Sequence, residues 1–285
     1  MSFCMTLRRG RRGFTITEIL VVVAVLATLL SLLLPAIGSV RRSARAAACM
    51  SNMRQIGSAH IMYMNVNREA FVTAGLPHGG TGDPKSSWLT KLPQAYLDGT
   101  LGLRSPVDHS PYWSSEEGGS HDGLTLADAL HWMRNTPGTP LPANLISRWS
   151  SYALNVMLTD LYSYPDPNNP GREMRFTRLN AVPRPANTVH FVMLTEGFRH
   201  PESDPAYARS DHVHADGWMN LPAPLLEQVP RFAVRQIEIG AHGGPVAGWT
   251  SLSNYLFLDG RVETLEFREV YDSPERNKLF PLATP

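Results

Sequence analysis

Hydrophobic positions along this chain change their spacing twice. From Phe14 to Leu34 they run almost unbroken, FTITEILVVVAVLATLLSLLL, 21 residues with a single charge at Glu18. At about 1.5 Å per residue such a helix is roughly 31 Å long, enough to cross the hydrocarbon core of a bilayer. From residue 36 to 66 the apolar positions thin out and take helical steps. Cys49, Met53, Ile56, His60 and Tyr63 recur every three or four residues on one face. Arg41, Arg42, Arg45 and Arg54 lie largely off that stripe, as a solvated or headgroup-facing set. Pro35 lacks an amide donor and crowds the preceding turn, so a kink or local melting is predicted there, with Gly38 adding to it.

Beyond residue 68 the pattern becomes short apolar runs broken by Gly and Pro. Thr188–Thr195 is nearly continuous apolar and reads as a buried strand; Trp149–Leu158 reads as another, ended by the Pro/Asn-rich stretch Tyr164–Gly171. Thr125–Met133 reads as a short helix. A C-terminal hairpin is predicted from strand Asn254–Leu258, a two-residue turn at Asp259-Gly260, and a return over Arg261–Phe267. Asp259 is thereby assigned to the turn rather than to chemistry. The 23 prolines and 22 glycines are concentrated in this region, so long irregular connections are expected. The predicted architecture is α+β: a long N-terminal helix packed on a head, residues 69–285, with an antiparallel sheet. The helix divides into a membrane-crossing part, 14–34, and an extracytoplasmic continuation, 35–68.

Charge changes that picture in one respect. Residues 1–60 hold eight Lys/Arg against one acid, +7, so the remainder carries −6 of a net +1. Clustered Arg8, Arg9, Arg11 and Arg12 before the span hold that end in the cytoplasm. A slightly acidic head does not suit nonspecific nucleic-acid binding, so no nucleic-acid partner is expected. The two cysteines are Cys4 and Cys49; the second reads as a small buried helix residue.

Three readings of the N-terminus compete. An ordinary secretory signal is cut after its apolar region, but this run is longer than the usual one. A plain uncleaved anchor gives Glu18 no purpose, since a charge in hydrocarbon is costly and functional by default. Cleavage ahead of the span, between Gly13 and Phe14, accounts for Gly13, Phe14 and Glu18 together.

Those residues carry a resemblance. Gly13-Phe14-Thr15-Ile16-Thr17-Glu18 resembles the class III signal of type IV pilins and type II secretion pseudopilins, and Pro35 falls at that family's frequent Pro position. The resemblance implies a pilin-like fold and a prepilin leader at 1–13. It implies cleavage after Gly13 by a prepilin peptidase and methylation of the new terminus at Phe14. It makes Glu18 and Phe14 assembly residues, with Pro35 alongside them. The implied partners are other pilin or pseudopilin subunits and an inner-membrane assembly platform. The implied location is the inner membrane, single-pass, with the head outside the cytoplasm.

A second segment resembles a large bacterial pilin-like family. Arg45-Ala-Ala-Ala-Cys49-Met-Ser-Asn52-Met53-Arg54-Gln55-Ile56-Gly57 matches its post-membrane run. Downstream echoes are Ser151-Tyr152-Ala153-Leu154-Asn155, Asn187-Thr188-Val189 with Glu196-Gly197, and His242-Gly243-Gly244 with Asn254-Tyr-Leu-Phe-Leu-Asp259-Gly260. Sixteen residues separate His242 from Asp259, where that family has about nine, and this departure leaves the role of His242 open.

Two spots in the head hold candidate chemistry. His200, Glu202 and Asp204 precede Asp211-His212-Val-His214-Ala-Asp216. A His-x-His pair puts both imidazoles on one face of a strand, and acids nearby complete a possible metal set. His212, His214 and Asp216 are the metal candidates, although a polar loop is the preferred account and no metal or cofactor is expected. Asp166, Asn168 and Asn169 form an oxygen-rich loop of the kind calcium takes, but without the spacing of a calcium loop. No Gly-x-Ser-x-Gly elbow or phosphate-loop ending is present in the sequence. The functional expectation is a structural, non-enzymatic subunit of a type IV pilus or type II secretion pseudopilus. The alternatives are a membrane-tethered binding module using exposed aromatics, and a tethered zinc hydrolase on His212 and His214.

Overall fold

Helix α1, Ile16–Val66, is 51 residues long. It belongs to a computed structural model that describes residues 14–76, 78, 83–96, 103–136, 139, 141–166, 169–219 and 221–283. Leader residue Gly13 therefore lies outside the described residues. The chain divides into two units within α1, the first ending at Ala44 and the second beginning at Arg45.

In the first unit every side chain from Phe14 to Leu34 is exposed. Among the described residues no other element of that unit covers this apolar surface, which is the condition of a helix made for lipid. Among the described residues α1 is the one helix long and apolar enough to cross a membrane. Its two central hydroxyls turn inward to the helix backbone: Thr28 Oγ1 donates to the Ala24 carbonyl at 2.5 Å and Ser31 Oγ to the Thr28 carbonyl at 2.8 Å. A polar group that bonds its own helix leaves nothing unpaired in hydrocarbon. The helix passes Pro35 and Gly38 without interruption. The local melting anticipated at Pro35 does not occur, because one missing rung leaves the bonds on either side to hold the turn.

The second unit begins with the remainder of α1. Cys49, Met53, Ile56 and His60 are buried and Tyr63 half-buried, whereas Arg45 and Arg54 are exposed. There follow α2 (Trp88–Tyr96), α3 (Leu126–Asn135), β1 (Tyr152–Asn155), β2 (Tyr164–Pro165), β3 (Glu173–Met174), β4 (Val189–Met193) and β5 (His212–Val213). Then come α4 (Asp216–Met219), α5 (Val229–Ala233), β6 (Leu252–Phe257), β7 (Val262–Glu266) and α6 (Phe267–Val270). Helix α3 starts where its cap dictates, the Thr125 side chain accepting from the Asp128 amide.

Five strands form one sheet in the order β5-β1-β4-β6-β7. The architecture is α+β, a long N-terminal helix with a globular head, as the pattern predicts. The sheet is mixed, not purely antiparallel: β1 runs parallel to β5, pairing Leu154 with His212 and Asn155 with Val213. Parallel neighbours need a long crossover, and the chain between β1 and β5 supplies one by passing through β4 first.

Both sheet faces are covered, which is why the strands are apolar at successive positions rather than alternate ones. On one face Tyr152, Leu154, Phe191, Met193 and Leu256 pack with Cys49, Met53, Ile56 and Ala59 of α1 and with Trp88 and Trp149. On the other, Ala153, Val192, Tyr255 and Phe257 pack with Trp218, Phe267 and Tyr271. Cys49 is fully buried, its thiol 3.3 Å from Met193 Sδ and receiving the Tyr152 hydroxyl at 3.7 Å. Burial pushes that thiol's pKa up.

The C-terminal hairpin is present with a different turn. Leu256 pairs with Val262, and the Phe257 amide donates to the Arg261 carbonyl at 2.9 Å. The loop is therefore three residues, Leu258, Asp259 and Gly260, and only Gly260 has positive φ, +85°. A two-residue turn would force Asp259 to positive φ as well; adding Leu258 leaves the strain on glycine alone.

Candidate functional site

At the start of α1, Thr15 and Glu18 close a reciprocal cap. The Thr15 amide and hydroxyl each donate to Glu18 Oε2 at 2.8 Å, and the Glu18 amide donates back to Thr15 Oγ1 at 3.3 Å. This is a capping box, readable in the sequence as Thr-x-x-Glu and not anticipated above. It gives Glu18 a local structural task besides any role between chains. Both donors converge on Oε2, and among the described residues Oε1 makes no hydrogen bond. Phe14 stands exposed just ahead.

In the head, the polar loop expected at 211–216 is instead built structure. His212 lies on β5 and is buried, with His214 half-buried two residues on. Their Nε2 atoms are 3.1 Å apart. Asp211 is fully buried and wholly engaged: Oδ1 takes His212 Nδ1 at 2.9 Å and the Leu76 amide at 3.2 Å, while Oδ2 takes the Gly75 amide at 2.8 Å and the Ser87 hydroxyl. Asp216 Oδ1 is 3.8 Å from His214 Nδ1. A third imidazole, His78, joins the pair, its ring centroid 4.6 Å from His212 and 4.9 Å from His214. One ligand nitrogen from each of the three lies within 4.8 Å of the others. No spacing rule links His78 to His212; only the fold brings the loop to the sheet edge. Burial, then the neighbouring imidazoles, lower His78 to about 3, and burial first also lowers His214. His200, Glu202 and Asp204 are not part of this cluster: Glu202 pairs with Arg231 at 2.8 Å and Asp204 with Arg235 at 4.0 Å.

The remaining candidates separate. Asp259 Oδ1 accepts the Arg261 amide at 3.0 Å, a turn bond. The His242 amide donates to the Leu252 carbonyl at 2.9 Å, and burial, with Arg199 nearby, lowers its imidazole to about 4. Among the described residues no hydrogen bond or ion pair joins His242 to Asp259. Glu196 lies beside Glu238, whose Oε1 accepts the Glu196 amide at 3.1 Å, and Arg199 sits 3.5 Å from Glu238 and 4.0 Å from Glu196. Burial first, then the second carboxyl, raises Glu196 to about 7. Asp166 accepts the Asn169 side-chain amide at 3.0 Å next to the short β2–β3 pair, so its carboxylate serves the loop; Asn168 lies outside the described residues.

The sequence reading also missed Arg148. Its guanidinium is fully buried, donating to Asp108 at 2.7 Å and to the carbonyls of Thr195, Ala208 and Leu194 at 2.6, 2.8 and 3.1 Å. Burial alone would raise Asp108, but Arg148 and the Ser151 hydroxyl hold it below its ordinary value. Each of its three nitrogens donates to protein, so the group ties segments together. Of the six tryptophans, Trp88, Trp113, Trp149 and Trp218 are buried and Trp132 and Trp249 half-buried, which leaves a tethered binding module no exposed tryptophan patch.

Residues 8–34 match the family model described as the prokaryotic N-terminal methylation motif. Comparison with curated proteins and with solved structures yields no match. The matched segment contains Gly13, Phe14 and Glu18, and it supports a pilin-like subunit processed by a prepilin peptidase. It also fits a single-pass inner-membrane anchor.

Proposed function

We propose that this protein is a structural subunit of a pilus-like filament, either a type IV pilus or a type II secretion pseudopilus. It is cut between Gly13 and Phe14, methylated on Phe14, and assembled with other subunits by an inner-membrane platform, its head outside the cytoplasm. The observation that carries this reading is one acid at the fifth position of an otherwise uncharged apolar span, directly behind Gly13 and four arginines. At the centre of a helix in hydrocarbon a carboxylate costs about 2.5–3.5 kcal/mol on the insertion scale. A new amine on Phe14 of a neighbouring copy offsets that cost, because each charge otherwise faces lipid alone. Glu18 Oε1 is the oxygen for that contact, since Oε2 is taken by Thr15. The pairing sets the axial register between copies.

Mass spectrometry of native material tests the reading. The expected mature chain begins with N-methylated Phe14, and Gly13→Arg leaves a precursor that retains residues 1–13. Native material that keeps those residues, or begins beyond Pro35, overturns it.

A further inference from the structure

We propose that the head binds one divalent transition-metal ion of the zinc class on the imidazoles of His78, His212 and His214. His212 Nδ1 lies 2.9 Å from the Asp211 carboxylate, which cannot donate while ionised, so Nδ1 carries the proton and Nε2 presents a lone pair. That lone pair points at His214 Nε2, 3.1 Å away. On the far side of His214, Asp216 Oδ1 stands 3.8 Å from Nδ1, and among the described residues this shielded oxygen has no hydrogen-bond partner. His212 thus has a carboxylate bonded at Nδ1 and directs Nε2 inward, the arrangement by which carboxylates orient metal-ligating histidines, and Asp216 stands at longer range on the Nδ1 side of His214.

His78 supplies the independent observation. Both of its ring nitrogens are shielded from solvent and, among the described residues, have no hydrogen-bond partner. Imidazole nitrogens shielded from solvent with neither satisfied are unusual in a folded protein and call for a ligand. With metal–nitrogen bonds of about 2.0–2.1 Å, tetrahedral ligands stand roughly 3.3 Å apart. The His212–His214 pair already has that spacing, and the third nitrogen closes from within 4.8 Å. Three neutral imidazoles without a thiolate suit zinc, copper or nickel rather than calcium or magnesium. The ion would fasten the loop at His78 to β5, the edge strand of the sheet.

The site is independent of the N-terminal processing proposed above. Full-length protein in detergent, stripped with a chelator and dialysed, is titrated with Zn²⁺ by calorimetry and with Co²⁺ by visible absorption. One equivalent is expected, with the intense visible bands of tetrahedral cobalt. His78→Ala should weaken zinc binding at least about tenfold, and Asp216→Asn by about 10–100-fold as a loss of ligand orientation. His200→Ala, outside the cluster, should bind as the unaltered protein does. Should His212→Ala fail to fold, His78→Ala carries the test, because His78 is only half-buried. No saturable binding by the unaltered chain, unchanged affinity in His78→Ala, or an equal loss in His200→Ala would each overturn the proposal.

Discussion

Glu18 shows how one side chain serves two scales. Within its own chain it completes a capping box with Thr15; between chains it is proposed to meet a neighbour's amine. The two tasks have different chemical requirements. A cap needs an acceptor at that position, which glutamine also supplies, whereas register needs the charge. Glu18→Gln should therefore insert, be cleaved and keep its helix start, yet assemble poorly, while Glu18→Val should also lose the carboxylate half of the cap. Filament yield from whole cells, compared with cleavage on a gel, separates them. Normal assembly of the glutamine variant would reduce Glu18 to a cap. This residue was legible in the sequence because both of its meanings depend on near neighbours, Thr15 at three positions and the apolar run around it. His78 was not, since its partners are set by tertiary folding alone.

Elements follow the same division. α1, α3 and β4 are encoded by local periodicity and caps, and they appear close to where the pattern puts them. The β6–β7 loop and the β1–β5 pairing are not local properties. The register of β6 against β7 decides which residues the loop contains, and a crossover decides the partner of β1. The His242-Gly243-Gly244 segment is a further case. Gly244 has φ +74°, and a Cβ there would stand 2.4 Å from the Thr250 carbonyl oxygen. The glycine is thus demanded by a close backbone approach as well as by the left-handed conformation. Gly244→Ala should destabilise the head by about 1–3 kcal/mol, from strain at one position, read as a lower denaturation midpoint. An unchanged midpoint would mean that the Thr250 segment yields freely. β6 starts at Leu252, whose amide donates to the Gly243 carbonyl at 2.9 Å, so the strain is transmitted to the sheet.

At the scale of the whole head, buried titratable groups decide how stability follows pH. Burial holds His60 at about 3, His190 well below 6.5 and His242 at about 4. Their folded values are depressed, so below pH 6.5 the unfolded chain binds protons that the folded head refuses, and stability falls as pH falls. Glu196, raised to about 7, acts in the opposite sense: its folded form keeps a proton between about 4.5 and 7, so its effect favours the head as pH falls through that window, and Glu238, also raised by burial, acts in the same direction. The opposed slopes partly cancel from pH 6.5 to 4.5. Below 4.5 the two raised acids no longer oppose the histidines, and Asp108, depressed beside Arg148, adds its own loss as it protonates. Thermal unfolding should accordingly show a shallow decline in melting temperature from pH 6.5 to 4.5 and a steep one below; a maximum near pH 4 would contradict this assignment. What the amino-acid order settled without help is whatever depends on residues a few positions apart: an uncharged span long enough for lipid, its capped start with one acid, a leader of arginines, the helical stripe and the apolar strands. Folding in three dimensions alone decided that three histidines share one small space, that Arg148 and Asp108 meet in the core, and that β5 lies along β1, because those neighbours are distant in the chain and side-chain spacing holds no record of them.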